Sequence, residues 1–423
     1  MTLASAVPPQ PILFRDAAVL DTEAGDVRLG RSVLLSDGVV SAVGGPELQA
    51  PGGQPVREVR LQGRTLMPGL IDAHVHVNAV TADIAAMAEW SPAYVTARAA
   101  HLLRGMLLRG FTTVRDVAGA DYGIAAAIEE GWLEGPRVVF GGKALSPTGG
   151  HGDHRSRGRD AHDSCYCTPA LSRICDGVDQ VRAAVRDEVR RGAHHIKLML
   201  SGGIASPTDR VDSLQFSTDE ITAAVDEAAA AHVYVTGHAY TTSAINRALD
   251  CGVRCIEHGN LMDESSVELL VRNDAFYVPT LATYTALAER GRESGLPEES
   301  YRKLSAVLEG GLHALELAHR GGATIAYGTD LLGAMQDAQL TEFSIRAGVQ
   351  PAAAILRAAT VNAARLIGEQ GQLGIIAPGA RADVLVVDGN PLQEIEVLTH
   401  PESCLLMIVQ GGRVVHELPS ISG

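Results

Sequence analysis

The chain has 423 residues, 46% of them hydrophobic and 20% charged, which is enough apolar material for one large domain and a smaller one. Its formal net charge is −15 and it has no lysine- or arginine-rich run, so neither nucleic acid nor an anionic membrane surface is expected as a partner. It has no apolar stretch of membrane-spanning length and no recognisable secretory leader at its start. We therefore expect a cytoplasmic protein that acts on a small molecule. A secretory leader that has been removed from the sequence is the alternative.

Two β-rich segments bracket the sequence. Short apolar runs broken by Asp-Gly and Gly-Gly turns fill residues 11–65, and similar runs bounded by Gly and Pro fill residues 376–416. Segments this short are not stable alone, so the two ends are expected to pair. The sequence thus predicts a small β-sandwich domain formed by residues 1–65 and 376–423.

The middle of the chain, residues 66–375, alternates apolar strand-like runs with Ala-rich helical runs such as 218–231 and 305–320. This pattern is typical of parallel strands joined by helical crossovers. Eight strand candidates end near His76, Asp116, Gly141, Leu200, His238, His258, Thr280 and Asp330. Eight such units predict an α/β fold of the (β/α)8 TIM-barrel type, in which catalytic groups lie at the carboxyl ends of the strands.

The first of these strands carries two histidines, His74 and His76. Two residues apart on a strand, both imidazoles project from the same face and can reach one metal ion. A lone His-x-His pair is a weak signal, and a structural role is equally compatible with it. The residues that end the later strands strengthen the metal interpretation.

Four further strand candidates carry a side chain able to bind metal. His238, His258 and Asp330 each close an apolar run, and Lys197 lies inside one, where an inward ammonium is costly unless it is paired or chemically changed. Each alone is compatible with a hydrogen-bonded core residue. Six ligand-type residues at one rim, counting His74 and His76, instead indicate a metal centre.

This order of residues resembles the binuclear members of the amidohydrolase superfamily. The opening segment Leu66-Met-Pro-Gly-Leu-Ile-Asp-Ala-His-Val-His76 and the closing segment Leu373-Gly-Ile-Ile-Ala-Pro-Gly-Ala-Arg-Ala-Asp-Val-Leu-Val-Val-Asp388 are similar to that superfamily's signatures. Lys197-Leu-Met-Leu-Ser-Gly-Gly-Ile-Ala-Ser-Pro-Thr-Asp209 and Thr148-Gly-Gly-His-Gly-Asp153 resemble its imidazolonepropionase-like branch, with the Xaa-Pro and Xaa-Arg dipeptidases and the ochratoxin-hydrolysing amidohydrolases.

The resemblance implies two Zn²⁺ ions per chain. His74, His76 and Asp330 would hold the more buried ion, His238 and His258 the more exposed one, and a CO2-derived carbamate on Lys197 would bridge them. Such a pair of ions lowers the pKa of a shared water. Asp330 would then take the proton of that water and pass it to the departing amine.

Other residues are candidates for substrate contacts. His151, in a glycine-rich loop, and Tyr240, two residues past His238, are expected to contact the substrate and assist catalysis, and Ser206 and Thr208 to recognise a substrate terminus. A turn-capping role for Thr208 is an equal alternative. No functional role is expected for six other residues. His154 and His162 are predicted to lie in a solvated loop and His195 in the core. Cys165, Cys167 and Cys175 are expected to be ordinary thiols, and a disulfide within the 165–175 segment is the alternative.

By resemblance, the expected activity is hydrolysis of dipeptides or N-acyl amino acids at the last amide, with release of the C-terminal amino acid. Ochratoxin A, split into ochratoxin α and phenylalanine, is among the candidate substrates, and a homo-oligomer, up to an octamer, is expected. One alternative is a mononuclear deaminase or cyclic amidohydrolase, disfavoured because no Glu follows His238 and Lys197 would have no role. Another is a catalytically silent oligomeric scaffold, disfavoured because all six ligand positions are filled.

Overall fold

The computed structural model describes residues 9–50, 52, 55–159, 169–206, 208–294, 296 and 298–421. The chain is a mixed α/β structure, as the sequence predicts. Its strands are β1 (Ile12–Asp21), β2 (Asp26–Ser36), β3 (Val39–Gly44), β4 (Arg57–Arg60), β5 (Thr65–Pro68), β6 (Leu70–Val75), β7 (Phe111–Asp116), β8 (Arg137–Phe140), β9 (Ala144–Ser146), β10 (Ser172–Ile174), β11 (His195–Met199), β12 (Tyr234–Thr241), β13 (Cys255–Leu261), β14 (Phe276–Val278), β15 (Thr324–Ile325), β16 (Val384–Val387), β17 (Leu405–Gln410) and β18 (Arg413–Glu417).

The helices follow the Ala-rich stretches. They are α1 (Ile84–Met87), α2 (Pro92–Leu108), α3 (Tyr122–Glu129), α4 (Gly177–Arg190), α5 (Thr218–Ala230), α6 (Thr242–Asp250), α7 (Glu264–Arg272), α8 (Leu281–Arg290), α9 (Glu298–Arg320), α10 (Thr341–Ala347), α11 (Ala352–Arg357), α12 (Ala363–Leu366) and α13 (Pro401–Cys404). Helix α5 starts where predicted because Ser217 and Glu220 form a capping box at its first turn. None of the helices in the described ranges is long and apolar enough to cross a bilayer.

The contacts divide the chain into two compact units. The first comprises Met1–Ile71, Leu108–Thr112 and Pro351–Gly423, and the second comprises Asp72–Leu107 and Thr113–Gln350. Every side chain predicted to bind metal belongs to the second unit.

The β-rich unit is organised around one eight-stranded sheet that draws on both ends of the chain. Its strand order is β18-β17-β16-β5-β1-β2-β3, with β4 paired to β1. The link between the chain ends is the antiparallel pairing of β16 with β5, in which Val384 lies opposite Pro68. A cluster of buried residues that includes Phe14, Leu66 and Met407 forms the core of this unit.

The second unit carries the parallel strands. One sheet has the order β10-β9-β11-β12-β13-β14-β15 and another has the order β6-β7-β8. Backbone hydrogen bonds also link the two sheets, from His194 N, just before β11, to Phe140 O of β8 at 2.9 Å and from Ala73 N of β6 to Tyr327 O, just after β15, at 2.8 Å. The helices α4, α5 and α6 bury apolar faces in the same core cluster as β11 and β12.

Several strand limits differ from the predicted ones. Strands β12 and β13 continue past the histidines, because their ladder extends to the pairing of Thr241 with Leu261. Strand β15 contains only Thr324 and Ile325, so Asp330 lies in the irregular segment that follows it. Strand periodicity cannot predict such endings, since each is decided by pairing with a neighbouring strand.

Candidate active site

Strand alternation aims one set of side chains at a common cavity. On β12, Thr236, His238 and Tyr240 are two residues apart and share a face, and on β11 the same holds for Lys197 and Met199. The predicted metal ligands all line this cavity: His74, His76, Lys197, His238, His258 and Asp330. The structure therefore brings together six side chains that lie far apart in the sequence.

Two of these residues break the regular backbone pattern. His258 has φ 73° and Asp330 has φ 54°, in the left-handed region that non-glycine residues rarely adopt. Because of this turn at His258, it and its neighbour Glu257 both face the interior, although consecutive strand residues normally face opposite sides. Such conformations cost about 1–3 kcal/mol each and cluster at functional sites.

The ligand atoms of His74, His258 and Asp330 form the tightest group. All three lie within 4.8 Å of one another. The Asp330 carboxylate approaches His74 Nε2 at 3.3 Å through Oδ1 and also His76 Nε2 at 3.1 Å, while its Oδ2 is 3.8 Å from His258 Nδ1. Asp330 is therefore placed to share a cation with His74 and His76, while its second oxygen faces His258.

Each histidine has one ring nitrogen held by a neighbour. Nδ1 of His74 lies 2.7 Å from Glu257, Nδ1 of His76 lies 2.8 Å from the Ala118 carbonyl, and Nδ1 of His258 lies 2.8 Å from the Thr280 hydroxyl. His74 Nε2 is buried and has no hydrogen-bond partner among the described residues. A neutral imidazole held on one nitrogen and unpartnered on the other suits a metal ligand, so the residues present fit a metal ion.

His238 and Lys197 complete the group of ligand-type side chains. The His238 ring lies 4.6 Å from the His258 ring, between centroids, and its Nε2 donates to the Gly202 carbonyl at 3.1 Å. Lys197 is 1% exposed, and burial lowers the pKa of its amine to about 8, against the opposing charges of Glu257 and Asp330. This amine is therefore more readily uncharged, and more nucleophilic, than a surface lysine.

Burial and charge together set the protonation of the ligands. Burial holds the pKa of His238 and of His258 well below the usual histidine range, so both rings are neutral. Burial would raise the pKa of Asp330, but His74 and His76 hold it well below its ordinary value. Neutral imidazoles and an ionised carboxylate are the forms that bind a cation.

His151 packs against the group on its His238 side. Its ring stacks on that of His238 with centroids 4.2 Å apart, and burial lowers its pKa to about 4. Next to it, the Ser206 hydroxyl lies 3.0 Å from His151 Nδ1 and donates a hydrogen bond to Asp209 Oδ1. Lys303 then donates to the Ser206 carbonyl at 2.8 Å, which fixes this loop against α9. Ser206 thus lies behind His151 rather than on the cavity wall.

Tyr240 also lines the cavity, whereas Thr208 does not share that wall. The Tyr240 hydroxyl accepts a hydrogen bond from Tyr284 at 3.2 Å, and burial raises its pKa, so it keeps its own proton to donate. Thr208 lines a separate depression together with Thr148 and Glu220. Its expected contact with a substrate terminus stays a prediction that this cavity does not support.

The residues for which no functional role was expected have different outcomes. The solvated-loop interpretation of His154 is wrong, because His154 lines the cavity and burial lowers its pKa to about 4. His195 is a fully buried core residue, as expected. Cys175 is a free buried thiol, while Cys165, Cys167 and His162 fall outside the described residues.

The sequence pattern indicated no role for three residues that belong to the site or contact it, namely Arg115, Glu257 and Tyr284. Arg115 and Glu257 are completely buried and joined by an ion pair, and Tyr284 lines the cavity. A charged residue inside an apolar strand run was the available signal for the first two. For Tyr284, which lies on α8, helical periodicity alone marks a core position.

The rest of the cavity wall is largely apolar. It is lined by Ile84, Leu171, Ile204, Leu287, Leu296 and Leu332. An apolar enclosure with a few convergent polar groups at its base is typical of a small-molecule site. Together, the parallel strands and this cluster define an α/β enzyme with a site suited to metal ions.

The comparisons with known proteins place the chain in a family. The model of the amidohydrolase family matches residues 65–414, and the chain belongs to the amidohydrolase family. It is 34% identical over 413 residues to ochratoxinase of Aspergillus niger, covering 92% of this chain and 84% of that protein. The protein is accordingly a hydrolase that acts on carbon–nitrogen bonds.

The chain is also similar to solved structures of enzymes that act on peptides. A prolidase complexed with N-methylphosphonate-L-proline is 44% identical, with a TM-score of 0.94 over 97% of this chain and 100% of that one. A Xaa-Pro dipeptidase with bound methionine is 27% identical, with a TM-score of 0.85 over 97% of this chain and 100% of that one. The likeness therefore extends over both compact units.

Proposed function

We propose that this protein is a two-zinc amidohydrolase that cleaves dipeptides or N-acyl amino acids and releases the C-terminal amino acid. The observation that carries the proposal is the convergence of six ligand-type side chains on one cavity, with His74 Nε2 buried and unpartnered among the described residues. Similarity to an ochratoxinase and to a prolidase supports an amide substrate, and ochratoxin A is one candidate.

The ligands divide into two groups. His74, His76 and Asp330 would hold the more buried ion, and His238 and His258 the more exposed one. When bound, the two ions supply an activated water and polarise the scissile carbonyl. Lys197 would help to hold both ions after carboxylation: its uncharged amine would attack the carbon of CO2, an N–C bond would form as one C–O π bond opens, and the proton released from nitrogen would pass to water.

The chain's own groups then manage protons and orientation. Asp330 accepts a proton from the attacking water as the new C–O bond forms, and delivers it to the nitrogen of the leaving amine as the C–N bond breaks. Its distances to His74 and His76 keep it oriented. Tyr240 would donate a hydrogen bond to a carbonyl or carboxylate oxygen of the substrate, and His151, which lines the same cavity, would contact the substrate through its ring.

The walls of the cavity favour apolar substrates. Leu171, Leu287 and Leu332 offer no charged partner, so a substrate with a large apolar group gains burial there, at about 25 cal/mol per Å² of apolar surface. His151 and His154 are among the polar residues that line the same cavity. Apolar or aromatic amino acids are thus the proposed leaving groups.

We further propose that the parallel strands close into one (β/α)8 barrel, with a β-sandwich formed by the chain ends. The backbone hydrogen bonds from His194 to Phe140 and from Ala73 to Tyr327 support closure, since the first links β8 to the start of β11 and the second links β6 to the segment that follows β15. In such a barrel the active site lies at the carboxyl ends of the strands. His76 directly follows β6 and Asp330 lies after β15, which supports this proposal.

A substrate panel tests the activity. The chain would be loaded with Zn²⁺ and assayed against dipeptides, N-acyl amino acids and ochratoxin A, with release of the free amino acid as the readout. Amide cleavage that is lost with a chelator and restored by Zn²⁺ is expected. Absence of turnover across the panel would contradict the proposal, and release of ammonia from a cyclic amine would favour the deaminase alternative.

A further inference from the structure

A buried ion pair lies directly beneath the metal-ligand group. Arg115 and Glu257 are both 0% exposed, and Arg115 Nη2 donates to Glu257 Oε1 at 2.5 Å. Arg115 Nε also donates to the Ala73 carbonyl at 2.5 Å, which anchors the backbone just before His74. The Thr236 hydroxyl donates to the same Glu257 oxygen. A buried pair of this kind contributes little net stability by itself, so its presence calls for another role.

The second oxygen of Glu257 is reserved for His74. Oε2 lies 2.7 Å from His74 Nδ1, while Oε1 is occupied by Arg115 and Thr236. An ionised carboxylate is an acceptor only, so His74 must carry its proton on Nδ1. The lone pair is then on Nε2, the nitrogen that faces Asp330.

We propose that Glu257, held by Arg115, is a positioning residue that fixes the tautomer and ring orientation of His74 as a ligand of the more buried metal ion. This inference rests on the metal centre of the proposed function. A carboxylate–histidine–metal arrangement orients the ligand and raises its basicity. The positive φ of His258 is the backbone feature that lets Glu257 and His258 face the interior from adjacent positions.

The substitution Glu257→Gln tests the tautomer directly. Arg115 requires an acceptor, so the amide oxygen would turn to Arg115 and the amide NH2 would face His74. Nδ1 of His74 would then have to accept, which moves the ring proton to Nε2 and blocks the metal-binding lone pair. We expect the affinity for one of the two Zn²⁺ ions to fall about 10- to 100-fold, while the other is retained.

The readout is zinc binding itself, measured by competition of metal-free protein with a chromophoric chelator and by zinc content after dialysis. Glu342→Gln is the matched control, because Glu342 and Arg346 form an equally buried ion pair at 2.7 Å outside the cavity. The control variant should bind both ions with the parent's affinities, and its thermal stability reports the general cost of neutralising a buried glutamate.

The zinc-binding measurements distinguish failure of the positioning role from failure of the proposed function. Parent-like affinity of Glu257→Gln for both ions, or an equal loss of both ions in the two variants, would overturn the positioning role. If Glu257→Gln does not fold, Thr236→Val removes only the hydroxyl that donates to Glu257, and it should weaken the same single ion to a smaller extent; unchanged binding would count against the proposal. A parent protein that binds two Zn²⁺ but cleaves no amide would instead refute the proposed function.

Discussion

Removal of the Tyr240 hydroxyl offers the sharpest test of how the cavity handles a substrate oxygen. The hydroxyl accepts from Tyr284 at 3.2 Å and keeps its own proton, so Tyr240→Phe removes one oriented donor. The loss of one donor to a developing oxyanion costs about 100- to 1,000-fold in kcat, or about 2.7–4 kcal/mol. We expect a fall of that size in kcat with a smaller change in KM, since the bond strengthens in the transition state.

The assay is steady-state hydrolysis of the best substrate from the panel, with zinc content measured in each preparation. Tyr277→Phe is the matched control, because the Tyr277 hydroxyl is also fully buried but has no hydrogen-bond partner among the described residues and does not line the cavity. It should retain activity. Tyr240→Phe with the parent's kcat and a full complement of zinc would refute the donor role.

Three further predictions concern the lysines and the metal. Lys197→Ala should lose most activity and bound zinc, and short-chain carboxylic acids should restore part of both by replacing the carbamate; full activity would exclude the bridge. Dialysis against a chelator should abolish hydrolysis reversibly, and zinc content should rise and fall with the rate. Lys303→Met removes the amine that donates to the Gly203 and Ser206 carbonyls. Amide hydrogen exchange in that loop should therefore accelerate, and KM should rise more than kcat falls. Unchanged exchange would show that the amine does not hold the loop.

The regular parts of the site were predictable from the sequence. Lys197 and Met199 obey strand alternation on β11, and His74 and His76 line the same cavity although β6 ends at Val75. Apolar runs that end in a polar residue also marked His238 and His258 as candidate ligands, and both line the cavity. The orientation of His238 follows the alternation along β12, whereas that of His258 does not, because its φ is positive.

The irregular parts were not predictable. Alternation would send Glu257 to the side opposite His258, and only the left-handed φ of His258 brings both inside. His154 was assigned to a solvated loop because its neighbours are polar, yet the loop folds back so that His154 lines the cavity. Loop paths of this kind depend on long-range contacts that composition does not encode.

The strained backbone at His258 and Asp330 links the fold to its chemistry. A glycine would adopt these φ values without steric cost, but it would supply neither an imidazole nor a carboxylate. Local contacts offset part of the strain: Asp330 N donates to the His74 carbonyl at 2.9 Å, and His258 Nδ1 is held by Thr280, which itself has φ 22°. Because stability alone would select glycine at such positions, the two side chains are best explained by a function that requires their ligand atoms.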